Sequence, residues 1–343
     1  MTTANPPDAF LLVSFGGPEA PDEVIPFLER VTAGRGIPRE RLELVGKHYF
    51  DQGGVSPING LCRTLLADLS TAFEQAGVEL PLYWGNRNSA PFLDDTVAKM
   101  HADGVKHAVA FVTSAYSSYS GCRQYRENIA SAVGLLGEAG PTIDKLRVFF
   151  NHPGFIDPLV TGVSNAVLGL DPARTHVFFP AHSIPSASAA TCDYEEQITN
   201  AAGLVAQRVS SAQLEMPAWS VVWQSRSGPP TMPWLEPDIC ESISSVNRSD
   251  IDQIVVVPIG FISDHMEVLQ DLDIDAAAAA HAAGLGFTRV GTSGSDQRFV
   301  DMVVELVQEQ VSGAVPVSLG ALGLVPTQCS ATCCPAVRVE RRR

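Results

Sequence analysis

Short apolar runs alternate along the chain with longer stretches in which apolar residues recur at helical spacing. Eight short runs have the length and apolar content of buried strands, and they lie at residues 9–15, 80–85, 106–114, 146–150, 175–183, 217–225, 252–261 and 287–291. Helical spacing is clearest at residues 60–76, 121–137, 191–209 and 295–312, and the alanine run at 276–280 also indicates a helix. Strands that alternate with helices predict an α/β fold with parallel sheets covered by helices on both faces.

The number of predicted strands favours two domains. Eight strands are many for one small sheet, so we predict two Rossmann-like domains, each with a four-stranded parallel sheet flanked by helices. The predicted division lies near residue 160. It gives an N-terminal domain at 8–160, a C-terminal domain at 161–312 and a tail at 313–343.

Composition and charge narrow the class of protein. Hydrophobic residues make up 45% of the 343 residues and charged residues 18%, which is typical of a globular protein. The 38 acidic and 23 basic residues give a net charge of −15, which argues against general nucleic-acid binding. No apolar run approaches the roughly 20 residues of a membrane span. The first run, "AFLLVSF", is too short for a signal peptide and follows no basic stretch. We therefore expect a cytoplasmic protein with at most peripheral membrane contact.

Ligands of open α/β sheets bind beyond the carboxyl ends of the strands, so the residues that follow each run are candidates for function. The stretch "FFPAHSIP" places His182 at such an end, before the rigid Pro185. A single histidine at a strand end is more often structural, but this position favours a functional role. A neutral imidazole here would accept a proton or ligate a transition metal.

A second candidate is the acidic stretch "SDHMEVLQDLD", which follows the apolar run 252–261. If Ser263 caps a helix, Asp264, Glu267 and Asp271 share one face, and Asp275 extends the stripe. A solvated helix face whose acids favour the helix dipole would give the same pattern. Packed carboxylates repel each other, however, and such repulsion raises a pKa towards the range useful for proton exchange. With His182 they form an acid–base pair or a partial metal site.

Two further stretches point to the shape of a ligand. The "GGP" at 16–18 matches neither a dinucleotide fingerprint nor a P-loop, so we interpret it as a turn beneath a ligand. The stretch "WQSRSGPPTMPWLEP" at 223–237 combines two tryptophans with four prolines. It is either a surface loop with buried aromatic rings or a rigid apolar lip for a large flat ligand.

Seven stretches, taken in order, resemble the ferrochelatase family. They are "LLVSFGGPEAP", "GGVSPIN", "GNRNSAP", "AYSSYSGCRQYREN", "FFPAHSIP", "WQSRSGPPTMPWLEP" and "GFISDHMEVLQDLD", and they span about residues 9–310. The third and fourth are most similar to actinobacterial enzymes, which act as coproporphyrin ferrochelatases. The resemblance implies insertion of Fe(II) into a porphyrin during haem biosynthesis. Coproporphyrin III, giving coproheme, is the expected substrate, and protoporphyrin is the open alternative.

The resemblance also implies a fold and a set of roles. The fold would be the class II chelatase fold, with a porphyrin between two Rossmann-like domains. His182 and Glu267 would be the catalytic residues and would contact the substrate iron, and Asp264 and Asp271 would relay protons or metal. His265 falls in the same motif. The implied porphyrin-binding residues are Phe15, Ser56, Arg87 and Trp234. Several bacterial members have a tyrosine that can touch the metal at the position of Phe15, so this chain lacks that axial ligand.

The tail carries a cysteine-rich motif, "CSATCC", with three of the seven cysteines. Without a secretion signal, clustered thiols favour a metal site over disulfides. Some family members hold a 2Fe–2S cluster with one internal and three C-terminal cysteines, which implies Cys122, Cys329, Cys333 and Cys334 here. Zinc is the main alternative, and a free tail is the plain one. Cys192 is the substitute for Cys122, whereas Cys62 and Cys240 are expected to be helix or core thiols.

Two other functions compete with this one. A sirohydrochlorin or cobalt chelatase would need paired histidines and a more basic rim. A haem or iron–sulfur sensor on a degenerate chelatase scaffold would not need both His182 and Glu267. Both are disfavoured on these grounds. A downstream enzyme of the haem pathway is a candidate partner.

Overall fold

A computed structural model describes residues 6–34, 36–212, 214–228, 231–327, 329–330 and 332–337. The first half of the chain forms a parallel sheet of four strands in the order β2-β1-β3-β4. The strands are β1 (Ala9–Ser14), β2 (Leu82–Asn86), β3 (His107–Val112) and β4 (Thr142–Lys145). Every residue of β1 is fully buried, because β1 has a strand on each side and helices on both faces of its sheet.

The second half repeats this arrangement. Its parallel sheet has the order β6-β5-β7-β8 and consists of β5 (Thr175–His182), β6 (Ala218–Gln224), β7 (Gln253–Val256) and β8 (Gly286–Arg289). Two four-stranded parallel sheets flanked by helices confirm the predicted fold class.

The α-helices cover both sheets. In chain order they are α1 (Val24–Val31), α2 (Arg39–Asp51), α3 (Ile58–Ala76), α4 (Leu93–Ala102), α5 (Gln124–Gly134), α6 (Pro153–Val167), α7 (Ser186–Ala189), α8 (Tyr194–Ser211), α9 (Ile239–Ser244), α10 (Met266–Val268), α11 (Ala277–Ala282) and α12 (Gln297–Val311). Two segments wind more widely, as π-helices, at Tyr119–Arg123 before α5 and at Leu269–Ala276 between α10 and α11. The helices predicted at 60–76, 121–137, 191–209 and 295–312 are confirmed, with small differences at their ends.

One predicted strand is wrong. Residues 146–150 form no strand, and the fourth strand of the first sheet is the more polar Thr142–Lys145 just before them. The apolar run is buried for a different reason. Phe149 stacks on Phe111 of β3 at 5.1 Å between ring centroids and meets Phe299 of α12 edge-on at 5.8 Å. A short apolar run is therefore core here without belonging to a sheet, an ambiguity that periodicity alone does not resolve.

The two halves share one core. The largest apolar cluster contains residues of both sheets, including Phe10 and Phe111 from the first and Phe179 and Val255 from the second. Helix α12 follows the second sheet but packs back on α3 and β3 of the first. The predicted division near residue 160 falls inside α6, and the three domain ranges remain a prediction.

The first part of the tail is tied to the first half by buried polar groups. Arg147 donates two hydrogen bonds to Glu309 of α12, at 2.9 and 2.8 Å, and a third to the Val317 carbonyl at 2.9 Å. The Asn151 amide donates to the carbonyls of Leu319 (3.2 Å) and Gly323 (2.7 Å). These contacts fix the path of the chain after α12 and direct it towards the cysteines.

We expect Glu309→Gln to destabilise the protein by about 3 kcal/mol, because a buried guanidinium loses its counter-ion. The side chains of Arg147 and Glu309 are only 3% and 6% exposed. The matched control is Glu43→Gln in the exposed pair with Arg39, which should cost less than about 0.5 kcal/mol. Urea unfolding of both variants measures the difference, and equal losses would contradict the prediction.

Candidate active site

His182 is the last residue of β5, the strand between β6 and β7 in the second sheet. Its Nδ1 lies 2.5 Å from the Ser183 carbonyl oxygen. A carbonyl oxygen only accepts, so Nδ1 carries a proton, and Nε2 is the nitrogen that would hold the lone pair of a neutral ring. Nε2 faces Glu267, with 3.6 Å to Oε2, and the two side chains are 34% and 51% exposed. An accessible base and an accessible carboxylate thus stand side by side.

The acidic helix begins later than the sequence predicts. His265, not Ser263, is the N-cap, because its Nδ1 accepts a hydrogen bond from the Glu267 backbone N–H at 3.2 Å. Burial is the main cause that lowers the pKa of His265, and its ring lies against Phe261 at 5.1 Å. A neutral ring suits this cap, since only an unprotonated nitrogen accepts a hydrogen bond.

The later start separates Asp264 from the other acids. Asp264 precedes the helix, and its carboxylate receives two hydrogen bonds from Arg289 of β8, at 3.1 and 3.0 Å. Arg289 also binds Asp273. The expected stripe through Asp264, Glu267 and Asp271 on one α-helical face is therefore wrong for its first member, because a cation on a neighbouring strand pairs with it.

Asp271 lies behind Glu267 in the π-helical segment. Its Oδ2 accepts hydrogen bonds from the Gln224 amide, at 3.2 Å, and from the Ser225 hydroxyl. Burial, reinforced by the Glu267 charge, raises the pKa of Asp271 to about 6, although the Ser225 hydrogen bond opposes this shift. A carboxyl with such a pKa exchanges protons near neutrality. Asp275 continues the row and accepts from Gln270 at 3.0 Å.

On the first half, the turn after β1 carries Phe15. Gly16 has a φ of +81°, and a Cβ on Gly17 would come within 2.6 Å of the Ser56 Cβ, so both positions need glycine. Ser56 is buried beside this turn, and its N–H donates to Pro18 at 2.8 Å. The "GGP" stretch is the predicted tight turn, and it packs Phe15 and Ser56 into one wall.

Arg87 stands next to this wall. Its guanidinium carbon lies 5.6 Å from the Phe15 ring centroid and 4.5 Å from that of Tyr125, and its Nε donates to the Asn128 side chain at 2.7 Å. In the part of the chain that the structure describes, no carboxylate forms an ion pair with Arg87. Its positive charge is therefore held in place by neutral groups.

Trp234 lies on the second half, close to His182. It forms a β-bridge with Pro185, and the next residue, Leu235, donates its N–H to the Ile184 carbonyl at 3.0 Å. The Leu235 carbonyl in turn accepts from the Ser183 hydroxyl at 2.8 Å. The tryptophan loop is thus fastened to the segment that follows the histidine.

The two halves meet at the acidic helix. Phe15 packs on an apolar cluster that includes Tyr49 of α2 and Met266, the neighbour of Glu267. Burial, with a smaller contribution from the Glu267 charge, raises the pKa of Tyr49. Gln52 donates to Gln270 at 3.1 Å across the same boundary. The first-half wall therefore stands next to the carboxylates of the second half.

Sequence reasoning missed Gln224, Ser225 and Tyr49. Gln224 pairs with His182 in the register of β5 and β6, and its side chain reaches Asp271. Both Gln224 and Ser225 lie within "WQSRSGPPTMPWLEP", so their place at the end of an apolar run was the available signal. Tyr49 had no such signal, because its position depends on the packing of α2 against the other half.

The structure also brings the tail to Cys122. Cys122 is buried in the π-helical segment before α5, and the neighbouring Arg123 donates to the Cys333 carbonyl at 3.0 Å. The sulfurs of Cys333 and Cys334 are 3.5 Å apart. Burial is the main cause that raises the pKa of both thiols. Smaller contributions come from Cys122 to both, from Cys329 to Cys333 and from Cys192 to Cys334.

In the described ranges, no three or more His, Cys, Asp or Glu side chains are arranged to hold a metal ion. No helix in the same ranges is both long and apolar enough to cross a membrane. The terminal arginines at 341–343 lie outside the described residues.

A sequence model of the ferrochelatase family matches residues 7–311, which is most of the chain. The chain belongs to the ferrochelatase family. The predicted membership is thereby confirmed, and with it the enzyme class of metal chelatases.

Relatives within the ferrochelatase family are similar over nearly their whole length. A coproporphyrin III ferrochelatase of Streptomyces coelicolor is 48% identical, over 97% of this chain and 94% of the relative. One of Mycolicibacterium smegmatis is 44% identical over 96% and 98%. A protein of Rhodopirellula baltica named ferrochelatase is 48% identical over 97% and 95%. Among solved structures, SirB from Bacillus subtilis with Fe3+ aligns with a TM-score of 0.48 at 10% identity, covering 89% of this chain and 96% of SirB.

Proposed function

We propose that this ferrochelatase inserts Fe(II) into coproporphyrin III and so forms coproheme in haem biosynthesis. The observation that carries the proposal is the juxtaposition of three groups. Nε2 of His182 faces Glu267 at 3.6 Å, and Asp271, with a pKa of about 6, lies behind them. Metal insertion needs a base and a route for protons, and these groups supply both.

The chemistry follows from the porphyrin itself. A free porphyrin is flat and carries two inner N–H protons, which must leave as the metal enters. His182 accepts a pyrrole proton at Nε2 or passes Fe(II), which is a substrate here. Glu267 stabilises the positive charge that develops, and Asp271 takes protons away from the ring. The macrocycle must also pucker so that a nitrogen lone pair points out of its plane, which requires rigid walls.

The sequence-based expectation for Asp264 is a proton or metal relay, and its contacts favour a different proposal. Arg289 donates a hydrogen bond to each carboxylate oxygen of Asp264. We assign Asp264 to holding the start of the acidic helix against β8. Asp271 then remains as the relay residue.

Four residues would seat the porphyrin. Phe15 and Trp234 offer apolar rings for a flat macrocycle, and Ser56 lies in the Phe15 wall. Arg87 offers a cation for carboxylates, because its described partners are neutral groups. Phe15 has no ligating atom, so its side chain would not be an axial ligand to the iron.

Coproporphyrin III is favoured over protoporphyrin for two reasons. Several relatives at 43–48% identity are coproporphyrin III ferrochelatases. Coproporphyrin also carries more carboxylates than protoporphyrin and would gain more from Arg87. A sirohydrochlorin chelatase or a sensor on a degenerate scaffold is not favoured, because the chain keeps both His182 and Glu267.

We expect the purified protein to insert Fe(II) into coproporphyrin III at least about tenfold faster than into protoporphyrin IX. A selectivity of this size corresponds to the free energy of about one charge-assisted hydrogen bond. His182→Ala should lose at least about 100-fold in insertion rate, since a general base is removed. It should still bind porphyrin, as measured by quenching of the protein's fluorescence. The control His281→Ala, on the exposed face of α11, should behave like wild type. An active His182→Ala would contradict the assignment of the base.

We expect Glu267→Gln to be far more damaging than Asp275→Asn. Glu267 faces His182, whereas Asp275 accepts a hydrogen bond from Gln270 further along the row. The loss for Glu267→Gln should be on the order of 100-fold and that for Asp275→Asn within about threefold. Rates at saturating porphyrin measure both, and equal losses would mean that the acids act only as a diffuse negative field.

We further propose that Cys122, Cys329, Cys333 and Cys334 hold a 2Fe–2S cluster, which takes four thiolates. The donor set supports this in chemistry and in part in geometry. Two thiols on one tetrahedral metal, with bonds of about 2.3 Å, are about 3.7 Å apart, close to the 3.5 Å between Cys333 and Cys334. Cys122 contributes to the raised pKa of both thiols and Cys329 to that of Cys333, and coordination would supply the energy that draws the four together.

The role of the cluster would be to fasten the tail, because the insertion reaction transfers no electrons. Zinc is the rival occupant, since it also takes four thiolates. Cys192 is the rival fourth ligand, since its charge would also be felt by Cys334. A cytoplasmic location, peripheral membrane contact and a downstream haem-pathway partner stay predictions.

We expect protein purified without air to be coloured and to contain about two irons and two acid-labile sulfides per chain. Cys122→Ser should lose both, whereas Cys192→Ser and the control Cys240→Ser should keep them. If iron and sulfide are lost in Cys192→Ser instead, Cys192 and not Cys122 is the fourth ligand. Colourless protein with stoichiometric zinc, or with no metal after reconstitution, would overturn the cluster.

A further inference from the structure

Ser225 has an unusual backbone conformation. Its φ is +60°, in the left-handed region, and among the non-glycine residues that the structure describes only Cys334 shares this feature. Residues other than glycine, asparagine and aspartate rarely adopt this backbone conformation, because their Cβ crowds the backbone. A serine here therefore costs stability relative to glycine. Such strain is kept where the side chain has a task that glycine cannot perform.

The side chain of Ser225 has one clear task. Its hydroxyl donates to Oδ2 of Asp271, the oxygen that also accepts from the Gln224 amide at 3.2 Å. The same Gln224 amide lies 3.4 Å from the Glu267 carbonyl. Gln224 and Ser225 therefore both hydrogen-bond to one carboxylate oxygen of Asp271. Gln224 also hydrogen-bonds to the backbone carbonyl of Glu267.

These donors are placed by the strand that pairs with the histidine strand. Gln224 is the last residue of β6 and stands opposite His182 in the ladder, and its carbonyl accepts from the Ser183 N–H at 2.8 Å. Gln224 is 1% exposed, so its side chain has little freedom to move. The distance between His182 and Asp271 is thereby set through backbone pairing and two side-chain hydrogen bonds.

We propose that Ser225 is a positioning residue for metal insertion, whose strained backbone serves to aim its hydroxyl at Asp271 and hold that carboxylate behind Glu267. The inference rests on the proposed function and adds a residue to it. Ser225 acts through Asp271. Its loss should therefore slow the insertion step without weakening porphyrin binding.

The test uses two substitutions that differ only in backbone preference. Both Ser225→Gly and Ser225→Ala remove the hydroxyl, but only Ser225→Gly relieves the strain. Ser225→Gly should therefore melt at a higher temperature than Ser225→Ala. Both should lose on the order of tenfold in kcat, as expected for a lost hydrogen bond to a charged group, while KM for coproporphyrin III changes less than about twofold.

A matched control and a double mutant separate positioning from general damage. Ser227 is exposed in the same loop, and Ser227→Gly and Ser227→Ala should leave kcat unchanged. In an Asp271→Asn background, adding Ser225→Ala should cost less than about twofold further, because the two residues act as a unit.

The possible results fall on either side of the inference. A Ser225→Gly variant that is more stable than Ser225→Ala, with a reduced kcat in both, supports it. A Ser225→Gly variant with wild-type kcat, a rise in KM alone, or an undiminished loss in the Asp271→Asn background would overturn it while leaving the proposed function intact. Wild-type protein that inserts no iron would overturn the proposed function and this inference with it.

Discussion

The pairing of β5 with β6 is the interaction on which the candidate site depends. In this parallel ladder His182 stands opposite Gln224, and both strands end at the same edge of the sheet. Hydrogen bonds between the two strands fix the backbone position of His182 relative to that of Gln224. The amide then reaches the acidic helix, so a local backbone register is converted into a spacing between a base and carboxylates. A slip of β6 by one residue would turn the Gln224 side chain to the opposite face of the sheet.

A second constraint is the stiffness of the walls around this edge. Tyr116, after β3, donates its hydroxyl to the Ile259 carbonyl of the other half at 2.7 Å. Ser117 and Gln197 exchange two buried hydrogen bonds across the same boundary, at 2.8 and 3.0 Å. Buried polar contacts of this kind are costly to break, so the two halves resist relative movement. Rigid walls suit a reaction in which the protein bends a flat substrate.

The tail depends on a different set of interactions. Arg147 and Asn151 bind its carbonyls near α12, and Arg123 binds the Cys333 carbonyl beside Cys122. These contacts involve no thiol, so the fold itself carries the cysteines most of the way to one another. A metal centre at this place would add to a docking already encoded by polar side chains of the first half.

The sequence by itself determined the alternation of strands and helices, hence two parallel sheets, and the position of His182 at one strand end and of Glu267 after another. These features follow from short-range periodicity and from the geometry common to parallel sheets. Tertiary structure alone decided that residues 146–150 belong to the core and not to a strand. It also decided that Asp264 pairs with Arg289, while Asp271 accepts hydrogen bonds from Gln224 and Ser225. It decided as well that the tail lies against Arg123, the residue after Cys122. Such choices depend on which distant segments come into contact, and no local pattern records a partner more than a few turns away.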